Sequence, residues 1–251
     1  MKIETIIEDN IRYSKVDNVF SFILNDDKRP DWSKKLNDSF IYSNTDLKMK
    51  LRYAQNKKRI KQNPYKRFFD FISEKNGIKI DLASGPSGYF SPLLDNLSDN
   101  NIFIATDACP TVINAHSIAC DDPNFYVFDM DLDKRLPLKN ESIAAFSGNL
   151  LNNVDNYAGL INEVYRCLKK GGKFALIEMF FEHGCKTFEY LNNQGSIWAS
   201  FETFVEFCEN IGFTYVDSDI INSRKGKISE GDLFPLDNND CSIDRMIYFI
   251  K

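Results

Sequence analysis

The residues best suited to chemistry lie in Lys79-Ile80-Asp81-Leu82-Ala83-Ser84-Gly85-Pro86-Ser87-Gly88-Tyr89-Phe90. An apolar strand reaches an acid near its end, and a loop of small residues then leads toward a helix. Small residues let a backbone approach a ligand closely, and glycine tolerates positive φ. A helix N-terminus favours a negatively charged ligand group through its free N–H groups and dipole. The next strand, Ile102-Phe103-Ile104-Ala105-Thr106, ends on Asp107, 19 residues after Gly88. A carboxylate there can accept hydrogen bonds from both hydroxyls of a ribose, or it can cap the helix that follows Pro110. Taken singly, an A-x-G-x-x-G loop is also what an ordinary strand-to-helix turn looks like.

The elements that must position these groups read as a strand–helix alternation. Ile78–Leu82, Ile102–Thr106, Phe125–Phe128, Ile143–Phe146 and Phe174–Glu178 have strand patterns. Helical patterns occupy about Tyr89–Leu97, Thr111–His116, Tyr157–Lys169 and Ile197–Ile211, with Gly212 as terminator of the last. Such alternation predicts crossover units and an α/β doubly wound, mostly parallel sheet with helices on both faces. Phe213–Val216 and Met246–Ile250 have no helix between them and are expected to pair antiparallel at one edge. Residues 1–76 lack the alternation and are expected to form a helical cap, with a helix at Val16–Leu24 and a turn at Pro30-Asp31-Trp32. The domain boundary is therefore drawn between 76 and 77.

At this point the chain resembles the class I S-adenosylmethionine-dependent methyltransferases of the type 11 group. The ordered motifs continue the likeness. Phe125-Tyr126-Val127-Phe128-Asp129-Met130-Asp131-Leu132 resembles the third strand and its acid, and Leu136-Pro137-Leu138-Lys139-Asn140-Glu141-Ser142 the "LPF…S" segment. Glu163-Val164-Tyr165-Arg166-Cys167-Leu168-Lys169-Lys170-Gly171-Gly172 is similar to the "E-x-x-R-x-L-K-P-G-G" turn, and 201–213 to the late helix and "GF" strand start. The resemblance spans 78–213 and implies a Rossmann-like seven-stranded sheet that binds S-adenosylmethionine and releases S-adenosylhomocysteine. It implies that Asp81 orients the methionine portion, that Ala83, Ser84, Gly85 and Gly88 form the cofactor loop, and that Asp107 binds the ribose with Ala108 beside the adenine. Met130, Asp131 and Leu132 would meet the adenine edge, with Asp129 the competing acid two residues away. Asn149 would lie where cofactor and substrate meet. The chain departs from the group's pattern at Ala83 for the first glycine, at Ala144 for the acid of S-F-D, and at Lys170 for the proline.

Composition narrows the remaining choices. The 251 residues are 43% hydrophobic and 27% charged, an ordinary globular balance. No apolar run approaches the roughly 20 residues of a membrane span, and no apolar leader follows Met1, so a cytoplasmic protein is expected. The six cysteines are scattered, and His116 and His183 are the two histidines, which argues against a zinc site or a disulfide framework. Charge is uneven: 1–76 carry +6 and 77–251 carry −11. The basic stretch from Leu47 to Phe71 reads either as a contact for an acidic substrate or nucleic acid, or as a solvated face beside an acidic domain.

Methyl transfer from a sulfonium leans on positioning and on exclusion of water, and needs a base only where the acceptor must lose a proton. His183, on the loop after the Phe174 strand, is the candidate base, and His116 is read as structural. Gly148-Asn149-Leu150-Leu151 lacks the D/N-P-P-Y/F pattern of many exocyclic-amine methyltransferases. A small-molecule or short-peptide acceptor is therefore expected; Phe20, Trp32, Tyr42 and Tyr53 of the cap read either as closing over the cofactor or, for any one of them and by preference, as core packing. The alternatives are an RNA or protein methyltransferase, a NAD-dependent oxidoreductase and an inactive scaffold. Oligomeric state does not follow from the residues.

Overall fold

The computed structural model describes residues 3–25, 28–40, 46–151, 154–227 and 234–251. Among these residues nine strands form one sheet in the order β1-β2-β5-β4-β3-β6-β7-β9-β8. The strands are β1 (Ser14–Val16), β2 (Val19–Ser21), β3 (Gly77–Leu82), β4 (Asn101–Asp107), β5 (Phe125–Asp129), β6 (Ile143–Asn149), β7 (Leu168–Phe181), β8 (Thr214–Lys225) and β9 (Cys241–Ile250). Seven of them, β5-β4-β3-β6-β7-β9-β8, make the expected doubly wound sheet, parallel from β5 to β7. Strand β9 runs antiparallel between β7 and β8.

The helices are α1 (Asp31–Phe40), α2 (Asp46–Arg59), α3 (Tyr65–Ser73), α4 (Pro110–Ala119), α5 (Tyr157–Cys167), α6 (Lys186–Asn193) and α7 (Phe201–Ile211). Two apolar layers lie on opposite faces of the sheet. One joins Leu160, Ile161 and Val164 of α5 and Phe204 of α7 to Ile80, Phe146 and Phe174. The other joins Met49 and Tyr53 of α2, and Phe68, Phe69 and Ile72 of α3, to Phe103, Val127 and Ala145. Strand β3, buried on both faces, is the centre of the molecule.

The N-terminal segment departs from the expected all-helical cap. Val16–Leu24 is not a helix: β1 and β2 form a hairpin around Asp17-Asn18, with Asp17 at φ 52°. Strand β2 then adds to β5 in parallel, Phe20 opposite Phe128, so the sheet is two strands wider than seven. Phe20 is wholly buried among Tyr13, Tyr126 and Phe128. Burial against the β5 edge favours the extended form of this β-branched and aromatic run. Pro30-Asp31-Trp32 opens α1 instead of forming an isolated turn, with the Pro30 carbonyl accepting from Ser33 and Lys34.

Smaller differences have local causes. Tyr89–Leu97 is a turn followed by a 3₁₀ segment, Ser91–Asn96, with Pro92 in its first turn. The helix expected to reach Lys169 stops at Cys167, where Leu168 begins β7. Helix α6 was not expected. Thr187, Phe188 and Leu191 bury its inner side while most of the rest faces solvent. At the end of α7, Gly212 takes φ 118° as the left-handed cap.

Candidate active site

The sheet reverses its winding at β3: β4 and β5 lie on one side, β6 and β7 on the other. Open α/β sheets bind ligands at the carboxyl ends of the strands flanking such a reversal. Asp81, Asp107, Asp129 and Asn149 all stand at those ends. Asp107 is opposite Asp129, and Asp81 lies between Ala105 and Ser147.

Asp81 is buried, and its Oδ1 accepts from Ser147 Oγ at 2.6 Å. Burial drives its carboxyl up to about 6, against the opposing pull of the Ser147 and Ser84 hydroxyls. Asp107 is also pushed up to about 6 by burial, despite amide N–H groups from Cys109 and Gly85. Those bonds run to Oδ1 at 2.7 Å and Oδ2 at 3.0 Å. Each oxygen keeps a second lone pair. Among the described contacts neither carboxylate meets a cation. A ligand bearing an ammonium group and a vicinal diol therefore fits this acceptor set.

The loop between β3 and the 3₁₀ segment is held from several sides. Ala83 sits at φ 47°, the left-handed region, with its N–H on Thr106 Oγ1 at 3.2 Å. The usual glycine's conformation is thus kept by an alanine at a cost of about 1 kcal/mol. Ser84 bonds both backbone groups of Thr106, its N–H to the carbonyl and its Oγ to the N–H. Gly85 and Gly88 both take φ 56°. A Cβ at Gly88 would lie 2.9 Å from Tyr53 Cδ1, so the missing side chain is what admits Tyr53. His116 lies beneath this loop, its Nε2 donating to the Gly85 carbonyl at 2.9 Å and its Nδ1 accepting from Tyr53 at 2.7 Å. Burial lowers His116 to about 4, so the imidazole is neutral and structural.

At the third strand end the two candidate acids have different partners. Asp129 is gripped by Arg29 through two bonds of 2.7 and 2.8 Å, with Ser21 Oγ at 2.5 Å. Asp131 lies beyond the strand and pairs with the exposed Lys134 at 2.7 Å. Met130 and Leu132 pack into the α5-side core, and Met130 donates its N–H to the Asp107 carbonyl. The Ala108 carbonyl accepts from Arg29 at 2.9 Å and Ser33 Oγ at 2.5 Å, which places the start of α1 over this end of β4. Asn149 closes β6 and is half-buried.

His183 is two-thirds exposed on the loop after β7, against Phe188 and 3.6 Å from Glu202. None of its described contacts is with residues of the 83–88 loop. The four aromatics expected over the cofactor do not act as a group. Phe20 and Tyr53 are core residues, Trp32 is exposed, and Tyr42 lies outside the described residues. Within the basic stretch, Lys57 pairs with Asp95, and Arg67 with Asp217 and Asp219, so part of its charge meets the acidic remainder of the chain.

Sequence reasoning did not single out Arg29, Ser33, Ser147 or Asn56, and it read Arg52 only as one charge of the basic stretch. Arg52 and Asn56 left a trace: Met49, Arg52, Tyr53 and Asn56 recur at helical spacing along one face of α2.

Residues 80–176 match the Methyltransferase domain family. No curated protein matches the chain in sequence. Its fold is similar to a candidate methyltransferase of Bacillus halodurans C-125, with 12% identity over 76% of this chain and 99% of that one, at a TM-score of 0.57. An S-adenosylmethionine-dependent methyltransferase of Mesorhizobium loti is 15% identical over 74% of this chain and 97% of that chain, TM-score 0.51. Phosphoethanolamine N-methyltransferase 2 of Haemonchus contortus, solved with S-adenosylmethionine, is 13% identical over 86% and 59% of the two chains, TM-score 0.52. The sequence match over 80–176 and the fold point the same way: that segment matches the methyltransferase domain model, and the fold is similar to that of solved methyltransferases.

Proposed function

We propose that this protein transfers a methyl group from S-adenosylmethionine to an oxygen or nitrogen of a small molecule or short peptide. The observation that carries the reading is the pair of buried carboxylates, Asp81 and Asp107, at the ends of β3 and β4 with no cation among their described contacts. Asp81 would receive the ammonium of the methionine portion and Asp107 the ribose hydroxyls, with Ser84, Gly85 and Gly88 beside them. Asp131 would serve the adenine, with the Leu132 N–H, because Asp129 is already committed to Arg29. When bound, the cofactor supplies an electrophilic methyl on a good leaving group.

The chain's own contribution is to hold the donor against the acceptor and to exclude water. Residues 1–76 would supply acceptor specificity, since the start of α1 lies over Ala108. Asn149, at the end of β6, would border both ligands. His183 would take a proton where the acceptor must lose one. The Haemonchus contortus relative, named for a small amine substrate, supports a small acceptor.

Calorimetric titration with S-adenosylhomocysteine tests the reading, with NAD and Asp107→Asn as controls. Saturable binding by wild type, weakened roughly 10-fold or more in the variant, is expected for loss of a charged partner. Binding of NAD in place of S-adenosylhomocysteine would refute it.

A further inference from the structure

Four consecutive carbonyls of the cofactor loop are taken by donors on one side. Gly85 O accepts from His116, Pro86 O from Arg52 Nη1 at 2.5 Å, and Ser87 O and Gly88 O from Asn56 Nδ2 at 2.9 Å each. Arg52, Asn56 and Tyr53 all belong to α2, which lies before the family-matched region 80–176. Asn56 is 7% exposed, and Tyr53 packs in the space that Gly88 leaves free. On the opposite side, the loop is pinned to the strand ends by Ser84 N–H on the Thr106 carbonyl and Gly85 N–H on Asp107.

A trans peptide holds its C=O and N–H on opposite sides. With the carbonyls of Pro86, Ser87 and Gly88 turned to α2, the N–H groups of Ser87, Gly88 and Tyr89 are turned away from it. Successive N–H groups aimed at one place make a concavity for an anion. Left to itself, a loop with two glycines samples many peptide orientations.

We infer that Asn56, helped by Arg52, is a positioning residue: by fixing the peptide planes of 86–89 it presents their N–H groups to the carboxylate end of the amino-acid portion of the cofactor. The inference rests on the proposed S-adenosylmethionine site. It assigns to α2, outside the recognised domain, part of the affinity for that one end of the ligand. The adenosine end is held by Asp107 and the β5 terminus and does not depend on α2.

Two ligands separate these effects. S-adenosylhomocysteine carries the amino-acid portion, and 5′-methylthioadenosine is the same thionucleoside without it. Asn56→Asp keeps the side-chain shape but replaces both donors by a carboxylate, and Arg52→Met removes the third donor at a half-buried position where folding is less at risk. Calorimetry should show S-adenosylhomocysteine weakened roughly 10-fold in Asn56→Asp and several-fold in Arg52→Met. 5′-Methylthioadenosine should stay within about 2-fold of wild type in both. Equal weakening of the two ligands, or no change in either, would overturn the inference while leaving the cofactor site standing. Wild type that binds neither ligand would refute the site reading and this inference with it.

Discussion

Replacing Asp81 by asparagine should make the free protein more stable and the cofactor complex weaker. The side chain is 6% exposed, and burial lifts its carboxyl from an ordinary 3.8 to about 6. Holding it ionised above pH 6 therefore costs the fold up to about 3 kcal/mol, part of it from repulsion with Asp107. Asparagine keeps the acceptor for Ser147 Oγ, and its amide can donate to Ser84 Oγ. The folded-state value is raised, so between about 4 and 6 the native state binds more protons than the unfolded chain. The cost is full above pH 6 and fades as pH falls toward 4.

Urea denaturation at pH 8 should show Asp81→Asn about 1–3 kcal/mol more stable than wild type, with the two curves converging near pH 4. The same variant should lose roughly 10- to 100-fold in affinity for S-adenosylhomocysteine at pH 8, because the ammonium loses its charged partner. A variant less stable than wild type at pH 8 would refute the electrostatic argument. Unchanged affinity would refute the assignment of Asp81 to the cofactor.

Other perturbations report on the supports of the site. Ala83→Gly should stabilise by about 1 kcal/mol in urea titrations, since φ 47° burdens alanine and not glycine. His116 has a folded value near 4, below its ordinary 6.5, so its contribution to stability is lost as pH falls from about 6.5 toward 4. His116→Gln should flatten that part of the stability profile, seen by denaturation at pH 7 and pH 5. Arg29→Met strips Asp129 of its bidentate partner and should cost about 3–5 kcal/mol, measured by the shift in urea midpoint.

The sequence carried the ordered strands, the acids at their ends and the small-residue loop. These are local signals: an apolar run buried on both faces, and a chain reversal where bulk is excluded. It also carried Gly212 as a cap and the antiparallel pairing of the last two strands, since no helix separates them. What it could not carry was the use made of residues 1–76. Val19 and Phe20 become a strand because the β5 edge is there to receive them, a partner more than 100 residues away. Asp129 acquires its partner by the same route: the Arg29 guanidinium reaches the β5 terminus through the fold alone. Asn56 gains its two carbonyls in the same way, from a loop 31 and 32 residues distant. Residue type and spacing set which groups can do the chemistry, because hydrogen-bonding capacity and backbone freedom are properties of the residue. Which of those groups stay free for a ligand was decided by tertiary packing, because most buried polar atoms take a partner that the fold brings to them.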